Sequence, residues 1–242
     1  MKRLLFFRRF FAFAALLVFA AQAVGQVAPL RIVVVGDSTV CEYPAARPDR
    51  GWGQFVQERF RNGAVAVINL AAAGRSTKTF IQEGRWKKAL AEKPDYVLIQ
   101  FGHNDSHAPE KPEATDASTD YKENLRLYVD QSRAIGATPI LVTPMVRRIF
   151  AADGKLQDEL QRYADAMKEI GVEKKAPVID LHASSKELVE RLGPETSAEM
   201  ANKNGDATHF NEAGARAMAD LVMKEIPAVA PMLKELLKSH TP

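Results

Sequence analysis

The chain predicts a three-layer α/β/α sandwich around a mostly parallel, five-stranded sheet of flavodoxin-like type, on three observations. Short β-branched runs alternate with amphipathic segments along its length. The runs are apolar throughout rather than every second residue, as in strands covered on both faces. At 242 residues, 46% of them hydrophobic, the chain can bury a substantial core, and one α/β domain of about 200 to 250 residues is common.

The first strand is Arg31-Ile32-Val33-Val34-Val35, closed by Gly36. Residues 65–70, 96–101, 138–142 and 177–180 have the same character and supply the other four. Between them, residues 53–60, 76–91, 119–135, 156–170 and 184–192 carry apolar side chains at helical spacing, with Gly136 and Gly171 placed as helix stops. Right-handed crossovers then put helices on both faces of the sheet. A further helix is expected over residues 211–225. Pro227 and Pro231 break the tail, leaving room for a short helix over 232–238.

Residues 1–23 stand apart from the fold. Lys2, Arg3, Arg8 and Arg9 precede a 12-residue apolar run, Phe10 to Ala21, which is followed by Gln22-Ala23. That is the pattern of a secretory signal peptide, and 12 residues fall short of the ~20 that span a bilayer. The expectation is export to the periplasm or beyond, with no stable membrane anchor after cleavage and a single domain over residues 24–242. Arg8-Arg9-Phe10-Phe11 leaves a twin-arginine route open. The whole chain has 33 Lys and Arg against 30 Asp and Glu; without residues 1–23 the count is 29 against 30. Nothing in that balance suits a nucleic-acid partner, which would require clustered cations. A single cysteine, Cys41, excludes an intramolecular disulfide and a thiolate metal cluster.

Ligands of such sheets bind beyond the carboxyl ends of the strands, so the residues just after each strand carry the functional reading. The first strand delivers Gly36-Asp37-Ser38-Thr39, the second leads through Asn69 to Gly74-Arg75-Ser76, the third delivers Gly102-His103-Asn104-Asp105, and Asp206-Ala207-Thr208-His209 precedes the last long helix. A serine hydroxyl becomes a nucleophile when a histidine, held in one tautomer by a carboxylate, takes its proton. Ser38, His209 and Asp206 are the candidates, since a spacing of three lets Asp206 reach Nδ1 of His209 while Nε2 faces Ser38. The backbone N–H groups of Ser38 and Gly74 and the side-chain amide of Asn104 are candidates for an oxyanion hole.

These four blocks, in this order, resemble those of the SGNH or GDSL hydrolase superfamily. Arg50-Gly51-Trp52-Gly53-Gln54, Asn69-x-Ala71-x-x-Gly74-Arg75-Ser76, Phe101-Gly102-His103-Asn104-Asp105 and Asp206-x-Thr208-His209-Phe210 resemble more narrowly its rhamnogalacturonan acetylesterase branch. The resemblance runs from about Arg31 to Leu221. It implies Ser38 as nucleophile, His209 as base and then acid, Asp206 as its orienting partner, and Ser38, Gly74 and Asn104 as the oxyanion hole. It further implies an acyl-serine intermediate, acetate removed from an acetylated pectic polysaccharide or oligosaccharide, and neither metal nor organic cofactor. Thr39 departs from the leucine usual in lipase-like members and favours the carbohydrate branch.

Rival readings stay in view. A lipase-like or lysophospholipase-like esterase would want a broad apolar surface, and no segment offers one. A non-catalytic glycan-binding protein would be expected to have lost Ser38, His209 or an oxyanion residue. An α/β-hydrolase elbow requires a glycine two residues after the serine, where this chain has Val40. His103 and His107 lie on an irregular segment that does not fix a shared metal-binding face. Asp105 is expected to brace its loop, Trp52 and Cys41 to pack, His182 and His240 to lie at the surface, and residues 110–120 and 147–155 to form solvated loops beside the cleft. Arg75 can either contact substrate or hold its loop.

Overall fold

The computed structural model describes residues 28–238, so the expected signal peptide and His240 lie outside the described residues. Five parallel strands, β1 (Leu30–Gly36), β2 (Val65–Asn69), β3 (Tyr96–Gln100), β4 (Thr138–Val142) and β5 (Val178–Ile179), form one sheet in the order β2-β1-β3-β4-β5. Register is continuous across the centre, with Val34 beside Asn69 on one side and Leu98 on the other.

Why β1 is apolar at every position is visible in its neighbours. Ile32 and Val34 enter one core with Trp52, Phe55, Met218 and Ile226, while Val33 and Val35 enter a second with Phe80, Tyr121, Tyr128 and Tyr163. The second core is closed by α1 (Thr77–Gln82), α2 (Arg85–Ala91), α3 (Asp120–Ala134) and α4 (Gln161–Lys174). The first is closed by two 3₁₀ turns, Trp52–Phe55 and Gln57–Arg59, and by α5 (Leu181–Ala198), α6 (Glu212–Val229) and α7 (Pro231–Lys234). No helix among the described residues is long and apolar enough to cross a membrane.

Several expected helices have different bounds. Residues 53–60 form the pair of 3₁₀ turns rather than an α-helix. The segment 76–91 divides at Gly84, whose φ of 69° starts α2 afresh. Gly136 is indeed a stop: at φ 82° its N–H bonds the Arg133 carbonyl and the next N–H bonds that of Ser132, a Schellman closure. Gly171, by contrast, lies inside α4, which starts five residues later than expected and ends with Lys175 in the left-handed conformation. Its lack of a side chain serves packing, because a Cβ there would come within 2.2 Å of Val178 Cγ2. Helix α5 starts three residues early, and its helical backbone breaks at Gly193, just past the expected end at Leu192, before resuming at Pro194. Pro227 does not end α6, which runs on to Val229, and α7 occupies only the first part of 232–238.

Candidate active site

Strand order reverses at β1, so the crevice opens beyond β1 and β3, and Ser38 is carried there by the turn that follows Gly36. The turn is held from both sides. Thr39 donates from its N–H and its hydroxyl to Asp37 Oδ1 (2.9 and 2.7 Å), and the Val40 and Cys41 N–H groups bond the Asp37 carbonyl. Tyr43 donates its hydroxyl to the Ser38 carbonyl at 2.9 Å.

Beneath the turn runs a buried polar chain. Trp52 Nε1 donates to Gln100 Oε1 (2.7 Å), Gln100 Nε2 donates to Thr39 Oγ1 (3.2 Å), Thr39 donates to Asp37, and Asp37 Oδ2 lies 3.4 Å from His103 Nδ1. All five residues are buried. Burial pushes the Asp37 carboxyl upward, yet the adjacent His103 ring and the Thr39 donors hold it below the usual carboxylate range. Burial also pushes His103 down. Trp52 thus packs as expected, and its indole N–H starts this chain.

The turn before α6 faces Ser38. Asp206 Oδ1 accepts the N–H groups of Thr208 and His209, both at 2.8 Å, and Oδ2 meets His209 Nδ1 at 2.9 Å. His209 Nε2 lies 3.0 Å from Ser38 Oγ. Partial burial works to raise the Asp206 carboxyl, but the two backbone donors and the imidazole outweigh it and keep it below the usual range. An Arg50 N–H bonds the Phe210 carbonyl and ties this turn to the segment after Ser38.

Two further loops complete the rim. Gly74 has φ 78°, a left-handed backbone that disfavours any side chain; the space around it is open, so conformation rather than crowding explains the glycine. Asn104 donates one amide hydrogen to the Arg75 carbonyl at 3.1 Å, which leaves the second for a ligand. Asp105 braces both loops: it accepts Thr77 N–H and the hydroxyls of Thr77 and Thr115, and burial pushes its carboxyl up to about 7 against those bonds. Arg75 holds its own loop, bonding the Ala73 carbonyl and Glu83.

Ser38, Gly74, Asn104, Asp206 and His209 therefore line one cleft of about 480 Å³, together with Arg47, Asp49, Arg147 and Lys203. His103 and His107 take different partners, Asp37 and Glu113, and among the described residues no three His, Cys, Asp or Glu side chains form a metal site. Three expectations need correction. His182 is buried, 2% exposed, because its ring bonds the Pro144 carbonyl and Asp158. The 110–120 segment buries Ala114, Thr115 and Ala117 against Tyr163, whose hydroxyl bonds the Thr115 carbonyl. In the 147–155 segment Arg148 is only 7% exposed, since backbone carbonyls of the 206–209 turn surround its guanidinium. Tyr43 and the two arginines were missed in sequence because none belongs to a strand-end block; the buried Pro144-Met145-Val146 run just before Arg147 was the available signal.

A model of the GDSL-like lipase/acylhydrolase family matches residues 34–217. The rhamnogalacturonan acetylesterase RhgT of Bacillus subtilis is 40% identical over 228 residues, covering 88% of this chain and 96% of the relative. The probable rhamnogalacturonan acetylesterase YesY of the same organism is 35% identical, covering 86% and 98%. The crystal structure of the Bacillus subtilis protein YXIM superposes with a TM-score of 0.73 at 30% identity, over 84% of this chain and 57% of that longer one. With the family matched across most of the chain and relatives of this identity along nearly their whole length, the protein is a carboxylic ester hydrolase and belongs to the GDSL-like lipase/acylhydrolase family.

Proposed function

We propose that the protein is an exported serine esterase that removes O-acetyl groups from a plant cell-wall polysaccharide, rhamnogalacturonan above all, through an acyl-serine intermediate. The observation that carries the chemistry is the unbroken series Asp206–His209–Ser38, with contacts of 2.9 and 3.0 Å. Neutral His209 takes the Ser38 proton at Nε2 as Oγ attacks the acetyl carbonyl carbon. The oxyanion receives hydrogen bonds from the Ser38 and Gly74 N–H groups and from Asn104 Nδ2. His209 then returns the proton to the departing sugar oxygen, leaving acetyl-Ser38. Water attacks that ester by the same route, with His209 as base, and acetate leaves. Asp206 keeps Nδ1 protonated and stabilises the imidazolium that forms in each half.

The substrate reading draws on the names of RhgT and YesY and on the cleft, whose rim of Arg47, Asp49, Arg147 and Lys203 suits a polar glycan better than an acyl chain. Export rests on the basic and apolar pattern of residues 1–23. The test is acetate release from acetylated rhamnogalacturonan, homogalacturonan and xylan by the purified protein beside Ser38→Ala. Release that requires Ser38 and is fastest on rhamnogalacturonan is the expected result; release that persists in Ser38→Ala would overturn the mechanism, and preference for xylan would overturn the substrate.

A further inference from the structure

Arg147 and Arg148 follow β4 and reach across to the turn that carries Asp206 and His209. The Arg148 N–H donates to the Ala207 carbonyl at 2.8 Å. Its Nη2 donates to the carbonyls of Asp206 (2.9 Å) and His209 (2.7 Å), and its guanidinium lies 4.5 Å over the Phe210 ring. Arg147 Nη1 bonds Thr208 Oγ1, and Nη2 bonds the His103 carbonyl at 3.0 Å. Every residue from Asp206 to His209 is therefore gripped by one of two consecutive arginines, and Arg147 links them to the loop of Asn104.

Arg148 has no carboxylate in ion-pair range among the described residues, and a buried, unpaired cation is costly. Carbonyl oxygens and an aromatic face stand in for the missing anion. Burial lowers its guanidinium to about 10, with Asp206 working against the shift, so it stays charged at neutral pH. Both carbonyls accept from Nη2, so the length of the arginine side chain and the flat guanidinium over Phe210, rather than the number of donors, distinguish it from lysine here.

We infer that Arg147 and Arg148 form a two-arginine clamp that holds the Asp206–His209 turn in register with Ser38, and that both are positioning residues for the hydrolysis. The inference rests on the esterase reading above.

The experiment measures kcat and KM with 4-nitrophenyl acetate for Arg148→Met, Arg148→Lys, Arg147→Met and Thr208→Val, with circular dichroism and melting curves as checks on folding. For folded Arg148→Met the expected result is a loss of about 100-fold in kcat, the scale of a misplacement near 1 Å, with KM little changed. Arg148→Lys restores only part of kcat. Wild-type kcat or a loss confined to KM in a folded Arg148→Met overturns the clamp. Should that variant not fold, Arg147→Met and Thr208→Val decide, since both leave Arg148 in place. Each is expected to lower kcat, and the double variant to lower it no further than Arg147→Met alone; full kcat in both singles overturns the inference. Hydrolysis surviving in Ser38→Ala sinks the esterase reading itself, whereas full kcat in the arginine variants of a Ser38-dependent enzyme sinks the clamp alone.

Discussion

A hydroxyl at position 39 connects Gln100 to Asp37, and an aliphatic side chain would strip the Gln100 amide of its acceptor while leaving Asp37 Oδ1 only the Thr39 N–H. Thr39 Oγ1 accepts from Gln100 and donates to Asp37 beneath the Ser38 turn. Thr39→Val should cost about 1–3 kcal/mol, the range for stranding buried polar groups, in urea unfolding, with Thr39→Ser recovering most of it. Asn104 has a second amide hydrogen free beside Ser38, so Asn104→Ala should lower kcat by about 100- to 1000-fold and KM should barely move; a change in KM alone would make Asn104 a substrate-binding residue. Asp105 behaves differently. Burial drives its carboxyl from the ordinary 3.8 to about 7, so between those values the folded state holds a proton that the unfolded state has released. Stability must therefore fall as pH rises through that window. Asp105→Asn keeps an oxygen acceptor for Thr77 and Thr115 without the charge, and its melting temperature should lack the decline between pH 4 and 7 expected of the parent.

At the scale of the element, the five strands could be read directly because each is buried on both faces, and continuous apolar runs of that length have few other uses. Helix bounds were less readable, for reasons that differ from place to place. Gly171 looks like a terminator when only backbone freedom is considered, but its function is to let α4 approach β5. Gly171→Ala should consequently cost about 1–3 kcal/mol through overpacking, and Val178→Ala should relieve part of the cost; additive losses in chemical denaturation would deny the contact. Pro227 looks like a breaker, although α6 passes through it to Val229. Parallel topology sends every strand-end block to the same edge, which places Ser38, Gly74 and Asn104 near one another, while Asp206 and His209 arrive from the turn before α6. Arg148 was unreadable for the opposite reason: an arginine outside a periodic segment looks like solvated charge, and only the fold brings carbonyls around it.

For the molecule as a whole, the two cores act as rigid walls on either side of a sheet whose edge joins residues 38 and 209, 171 positions apart in sequence. If His209 is the base, kcat/KM should rise with pH through a single ionisation as the imidazole loses its proton; a profile flat between about pH 5 and 8 would remove His209 from that role. The same architecture places the lone thiol of the described chain beside Ser38. Cys41 is buried, its Sγ lies 3.8 Å from the Ser38 carbonyl, and burial raises its pKa so that thiolate is scarce. An alkylating reagent can capture it only while the turn has swung open. The rate of that capture in native buffer thus times the openings of the turn around Ser38, with no label to introduce and no other cysteine in the chain to confuse the signal.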